Sequence, residues 1–231
     1  MSMAPHSSTQ QPPLSQPNRL EVTALDCLRG GWPVFSDLQF RLESGDLLLL
    51  TGPNGSGKSS LLRILAGLLP PAGGDLLWNE APLHGGDSHP PSIGYVGHRN
   101  AIKVNLTLQE DLAFWARFHG QPQHRIAQAL EAFDLTPLAA RPGRVLSSGQ
   151  GRRLALARLK VMQAPLWLLD EPLVGLDKAA VLAVRNEIEK HRRDGGIIVL
   201  ATHQDIWHVE EQRLDLGTFT VSPDQLQELE A

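Results

Sequence analysis

Apolar and polar positions change rhythm several times along the chain, and each rhythm predicts a different element. Leu20, Val22 and Ala24 alternate with polar Glu21 and Thr23. Beyond Gly30-Gly31, a predicted turn, Leu38, Phe40 and Leu42 alternate with Gln39 and Arg41. A period of two predicts antiparallel strands with one buried face. The stretch Asp46-Leu47-Leu48-Leu49-Leu50-Thr51 instead holds a short unbroken apolar run, and so do Leu166 to Leu169 and Ile197 to Ala201. Such runs fit strands of a parallel sheet covered by helices on both faces.

Helical spacing dominates from about 107 to 163. Thr107-Leu108-Gln109-Glu110 has the form of a capping box ahead of Leu112, Phe114, Trp115 and Phe118, and Gly120 supplies a stop. Most of those aromatic side chains are expected in the core. A second helix is predicted over 123–133, a third from near Ser147, and another from about 178 to 193 that ends at Gly195-Gly196. The expected architecture is α/β, with an antiparallel β subdomain at the front and a helical insertion over about 100–160.

Residues 1–18 hold four prolines, four serines and three glutamines but no Asp, Glu, Lys or Arg, and read as a disordered tail. They carry neither the basic start nor the apolar stretch of a secretory signal. Residues 19–231 read as a single domain. Its longest apolar run is the six residues Ala179 to Val184, far short of the roughly 20 that cross a bilayer. The net charge of −4 argues against a surface built to coat nucleic acid. The single cysteine, Cys27, excludes an internal disulfide and reads as a small core residue. His84 and His89, in a Gly/Pro loop, have no metal-ligand spacing and read as solvated.

The chemistry begins at Gly52-Pro53-Asn54-Gly55-Ser56-Gly57-Lys58-Ser59, which fits G-x-x-x-x-G-K-[ST] between an apolar strand and a helix expected from Lys58 to about Leu68. Glycines let successive N–H groups curl around a triphosphate, and the helix adds its positive end. Expected ATP contacts run from Gly52 through Ser60. Lys58 would meet the β- and γ-phosphates, and Ser59 would hold Mg²⁺. The Leu166–Leu169 strand then ends in Asp170-Glu171. Strand ends face the ligand crevice of an open α/β sheet. Asp170 would therefore sit beside Mg²⁺ through water, and Glu171 would orient or deprotonate the attacking water. Taken alone, such an acidic pair is as often a helix N-cap.

Leu146-Ser147-Ser148-Gly149-Gln150, ahead of a basic helix, forms a second anion site of hydroxyl, bare backbone and helix N-terminus. In isolation Ser-x-x-Gln is a plain helix cap. Its place between the two other motifs favours binding, with two chains head to tail so that each offers Ser147, Gly149 and Gln150 to the other's ATP.

In this order the motifs resemble those of an ATP-binding cassette nucleotide-binding domain, from about residue 19 to 220. The resemblance implies that Asp177, in Val174-Gly175-Leu176-Asp177, couples the two sites, and that His203 contacts the γ-phosphate. The sequence departs from the family at several places. His98 stands where a glutamine is usual, which puts the link to Mg²⁺ at that loop in question. Arg29 stands where an aromatic stacks on adenine, with Trp32 as the alternative. Ser148 replaces a glycine, and Gly175 a small alanine.

Phe40-Arg41-Leu42, Tyr95 to Lys103 and Leu146 to Arg153 are further similar to the ATP-binding subunits of bacterial cytochrome c maturation systems. That resemblance implies a homodimer of nucleotide-binding domains on integral membrane subunits of that system, at the cytoplasmic face of the inner membrane. ATP hydrolysis would drive haem export or release of a haem-loaded chaperone. No direct haem binding is expected, since C-x-x-C-H is absent. The alternatives are the ATPase of another small exporter and a soluble cassette module. A P-loop kinase would lack Leu146 to Gln150. The transporter reading expects an apolar groove near the His98 loop and the 107–119 helix.

Overall fold

The computed structural model describes residues 17–85, 92–203 and 212–220. Residues 1–16 of the expected tail, and His89, lie outside that set. Asn18, placed at the end of the tail in the sequence reading, is bonded to the body of the domain. Its N–H donates to Ser44 Oγ (2.7 Å) and its Nδ2 to the Gly195 carbonyl (2.9 Å).

Two sheets form the frame. The first strands, β1 (Arg19–Arg29) and β2 (Trp32–Glu43), make an antiparallel hairpin around Gly30-Gly31. Both turn glycines have positive φ, as a two-residue turn matched to strand twist requires. The expected alternation holds through Leu20 and Val22 and then breaks. Ala24 is exposed at φ 46° beside a register shift, after which Leu25 and Cys27 are the buried residues. A bulge has moved the chain by one residue, which swaps the face of every later side chain. Strands β4 (Gly73–Trp78) and β5 (Ala81–Pro82) extend this sheet in the order β2-β1-β4-β5.

The second sheet is parallel, and β7 (Leu166–Asp170), β8 (Ile197–Ala201) and β3 (Leu47–Thr51) lie in that order at its centre, between the two edge strands. Those edge strands are β6 (Ile93–Val96), beside β7, and β9 (Gln212–Asp215), beside β3. The three continuous apolar runs are its central strands. Their alternate side chains feed two cores. Leu48, Leu50, Leu166, Leu168, Ile197 and Val199 pack with α1 (Lys58–Leu65) and the antiparallel sheet. Leu47, Leu49, Trp167, Leu169, Ile198 and Leu200 pack with the helices on the other side. Burial on both faces is the physical reason for an unbroken apolar run.

Those helices are α2 (Leu108–Phe118), α3 (His124–Ala132), α4 (Ser148–Met162) and α5 (Lys178–Arg193). The capping box at Thr107 and Glu110 is formed, and Gly120 ends α2 at φ 63°. Helix α2 turns Leu108, Leu112 and Ala116 inward, so Phe114 and Phe118 stand outside at 43% and 72% exposure. Only Trp115 of the three aromatics packs against the core. Helix α1 stops at Leu65, three residues before the predicted end. Gly67, at φ 70°, turns the chain there while the Leu68 N–H bonds back to the Arg63 carbonyl (2.8 Å), and His84 covers the helix end and is not a solvated loop residue. Its Nε2 lies 3.2 and 3.0 Å from the carbonyl oxygens of Ile64 and Leu65, at the open end of α1.

Candidate active site

The parallel order places the C-terminal ends of β6, β7, β8 and β3 side by side. Asp170 pairs in register with Ala201, which pairs in turn with Leu50. Segments more than a hundred residues apart in sequence therefore open on one crevice, as in other open α/β sheets. A cleft of about 660 Å³ lies there. Asn54, Gly55, Gly57, Lys58, Ser59 and Ser60 line it from the phosphate loop, and His98, Asp170, Glu171 and His203 from the other strand ends.

The loop's shape follows from its glycines. Gly57, at φ 98°, starts α1, and a Cβ there would fall 2.7 Å from Phe35 Cδ1. Lys58 lies buried beneath the loop, its ammonium donating to the carbonyls of Gly52 (2.7 Å) and Pro53 (2.9 Å). Those bonds hold the loop closed around its own lysine. Ser56 Oγ is buried and without a hydrogen-bond partner.

The acids at the end of β7 differ from each other. Asp170 is 5% exposed, and its Oδ2 has no hydrogen-bond partner. A buried carboxylate oxygen left unpaired is unfavourable unless a cation or donor meets it. Glu171 adopts φ 50°, a left-handed backbone rare for residues other than glycine. Its N–H bonds the Ala201 carbonyl (2.8 Å), and its Oε2 accepts from Thr202 Oγ1 (3.1 Å). Its Oε1 has no hydrogen-bond partner and lies 3.8 Å from His203 Nε2. Glu171 does not cap a helix, the alternative open from the sequence. The cap of α5 is Asp177, whose Oδ1 accepts from the Ala180 N–H (2.8 Å).

Other residues singled out from the sequence do not line this cleft. Arg29 and the 63% exposed Trp32 face one another across the hairpin tip. Ser147 and Gln150 close a reciprocal capping box at the start of α4 (3.2 and 2.9 Å). Gly149 lies against Gly175, where a Cβ would come within 2.8 Å of the Gly175 carbonyl. Ser147, Gly149 and Gln150 thus form an edge outside the lining of the cleft, packed on the Gly175 loop that leads to Asp177.

Two groups escaped the sequence reading. Thr202 sets one oxygen of Glu171. Arg152, on α4, is 4% exposed and bonds carbonyls on both sides of the crevice: Gly97 (2.6 Å), Asp170, Glu171 (2.6 Å) and Pro172 (3.3 Å). Burial pulls its guanidinium below the usual arginine range, and the nearby Asp170 and Glu171 carboxylates pull it back. The sequence signal for Arg152 is weak: α4 carries four basic residues, Arg152, Arg153, Arg158 and Lys160, and only the packing shows that Arg152 and Arg158 are the buried ones.

A second cleft, of about 630 Å³, adjoins the first. Leu68, Ala101, Trp115 and Met162 give it an apolar lining, and His98 lines both clefts. Among the described residues no helix is long and apolar enough to cross a membrane.

A phosphate loop and a strand-end acid pair on this two-sheet framework define a P-loop ATPase of the ATP-binding cassette type. The ABC transporter family model matches residues 35–174. Among solved structures, an ABC transporter ATP-binding protein of Pyrococcus furiosus superposes with a TM-score of 0.77 at 23% identity, covering 88% of this chain and all of that one. The ATP-binding subunit of another ABC transporter gives 0.74 at 27% identity over 80% of this chain and 79% of its own. The cytochrome c biogenesis ATP-binding export protein CcmA of Rhodospirillum rubrum is 49% identical, with 85% of each chain covered. Its namesake from Paramagnetospirillum magneticum is 48% identical over 86% of this chain and 94% of its own. The chain belongs to the ABC transporter family and, within it, to the cytochrome c biogenesis ATP-binding export proteins.

Proposed function

We propose that this chain is the ATP-hydrolysing subunit of a membrane ABC transporter complex of cytochrome c maturation. In this reading the energy of hydrolysis drives haem export or release of a haem-loaded chaperone. The observation that carries the ATPase reading is the shared cleft of Lys58, Ser59, His98, Asp170, Glu171 and His203. The names of its CcmA relatives carry the cytochrome c part.

The residues divide the work as follows. Backbone N–H groups from Gly52 to Ser60, with the N-terminus of α1, bind the triphosphate. Lys58 exchanges its bonds to the Gly52 and Pro53 carbonyls for phosphate oxygens. Glu171 Oε1, free of other bonds, orients the attacking water and accepts its proton. The water oxygen bonds the γ-phosphorus as the bond to the β–γ bridging oxygen breaks, and ADP leaves. His203 donates to the γ-phosphate, whose charge it shares with Lys58. Thr202 holds Glu171 in line throughout.

Mg²⁺ fits the site. The unpaired Asp170 Oδ2 and the Ser59 hydroxyl are oxygen donors suited to it. Among the described residues no cluster of three or more His, Cys, Asp or Glu could hold a metal alone, so ATP itself would complete the shell. When bound, the ion neutralises charge on the β- and γ-phosphates.

The edge formed by Ser147, Gly149 and Gln150 stands outside the chain's own cleft, which supports a head-to-tail homodimer. In it the first turn of α4 binds the partner's ATP, and Asp177 lies at the join. Arg29 or Trp32 stacks on adenine. The apolar cleft bordered by His98 and Trp115 receives a segment of the membrane subunit. His98, on both clefts, then links that segment to the phosphates. In this reading the chain sits peripherally on the cytoplasmic face of the inner membrane and takes no part in binding haem or nucleic acid.

The test is a haem stain of c-type cytochromes in a strain lacking this gene, complemented with wild type or Lys58→Ala. Staining restored by wild type alone is the expected result. Unchanged staining in the deletion strain would remove the cytochrome c role and leave the ATPase reading standing.

A further inference from the structure

We infer that Arg152 is a positioning residue for ATP hydrolysis, holding the backbone of Asp170 and Glu171 and tying it to the helix that begins beyond Ser147. The inference rests on the proposed role of Glu171 and goes beyond it.

A guanidinium carries five N–H donors in a rigid fork, and here every one is used. Nε donates to the Pro172 carbonyl, Nη1 to the Gly97 carbonyl and Asn100 Oδ1, and Nη2 to the Asp170 and Glu171 carbonyls. Three segments meet at this one group: the loop carrying His98, the turn carrying the acids, and α4. Gly97 and Asn100 bracket His98, so the fork fixes both ends of that residue's loop.

Glu171 is where the fork matters most. Its φ of 50° is sparsely populated for a residue with a side chain and persists only where the surroundings impose it. Ala201 holds its N–H and Arg152 its carbonyl, so the peptide units on both sides are fixed. Without the Arg152 bond the turn is free to relax toward ordinary φ, and the carboxylate swings with it. A misplacement of about 1 Å is enough to lower a rate by about a hundredfold. The same side chain gives α4 a rigid connection. In the head-to-tail dimer, the helix that offers its first turn to the partner's ATP is pinned, a turn later, to the acids of its own site.

The experiment uses the full-length chain and compares Arg152→Lys, Glu171→Gln and the double variant. Lysine keeps the charge but has neither the fork nor its reach to five acceptors. For Arg152→Lys, kcat is expected to fall about tenfold to a hundredfold. Its KM and its affinity for a fluorescent ATP analogue should stay within about twofold of wild type. In the Glu171→Gln background, single-turnover hydrolysis should fall by less than about threefold on adding Arg152→Lys, because both changes act through one carboxylate. Wild-type kcat in Arg152→Lys would overturn the inference. So would losses that multiply in the double variant, or a loss matched by fewer nucleotide sites per chain, which would mark a folding defect. If Glu171→Gln alone left turnover intact, the role of Glu171 would fall first and this inference with it.

Discussion

Thr202 donates its hydroxyl hydrogen to Glu171 Oε2 at 3.1 Å, and the other carboxylate oxygen, Oε1, is buried without a hydrogen-bond partner, 3.8 Å from His203 Nε2. One oxygen anchors the side chain, and the other has its hydrogen-bonding capacity unused, as the role proposed for it requires. Replacing Glu171 with glutamine keeps the shape and the anchor and removes the proposed base. Turnover should fall by about two to four powers of ten, with ATP affinity retained. Paired hydrolysis and binding assays check this, and loss of binding as well would show that Glu171 is structural.

Lys58 is predicted to be needed for binding itself. Its ammonium already sits among loop carbonyls, next to where phosphates would enter. Alanine removes both the positive charge and the bonds that close the loop. Tight ATP binding should disappear, by at least about a hundredfold in Kd. Calorimetry on the purified chain reads this directly, and an unchanged Kd would refute the assignment of the loop.

Arg158 and Asp111 give a prediction about stability. Their side chains are 8% and 2% exposed and joined by two hydrogen bonds, of 2.7 and 3.0 Å. Arg158 also bonds the Asn100 carbonyl and so links α4, α2 and the His98 loop. Asp111→Ala strands a buried cation and should cost roughly 3–5 kcal/mol. Removing both charges, as Asp111→Leu with Arg158→Met, should cost less. Urea unfolding of the three proteins checks the order, and equal losses would show that the stranded charge is not the cause.

His191 predicts an acid-sensitive fold. Its ring stacks on Trp167 at 4.0 Å, and burial lowers its pKa from 6.5 to about 4, against the opposing pull of Asp194 and of the Pro165 and Ile197 backbone. Between those values the unfolded chain binds a proton that the folded chain refuses, so stability falls as pH drops through this window. From pH 7 to 5 the contribution amounts to about 2 kcal/mol. Urea midpoints at the two pH values should show that loss in wild type and a smaller one in His191→Phe. Equal losses would place the acid sensitivity elsewhere.

Contiguous features were legible in the sequence because local chemistry dictates them. The strand and helix flanking Gly52–Ser59, the capping box at Thr107, the turn at Gly30-Gly31 and the runs at Leu47–Leu50, Leu166–Leu169 and Ile197–Ala201 all took the expected form. The short strand β6 did not announce itself, because four residues that include Gly94 are too few for a period. His84 was misread for a related reason. Its loop composition looks solvated, but the carbonyls that hold it belong to α1, some twenty residues earlier.

By itself the sequence determined the first hairpin, the three central strands and most of the helices, and which of them border the glycine loop and the acid pair, since periodicity, caps and glycines act within a few residues. Tertiary structure alone decided that β7 lies between β6 and β8, and β8 beside β3. That order brings Lys58, His98, Asp170, Glu171 and His203 to one cleft. It also decided that Arg152 faces inward to five acceptors. A buried charge must find its partners wherever packing places them, and no local pattern in the chain records that choice.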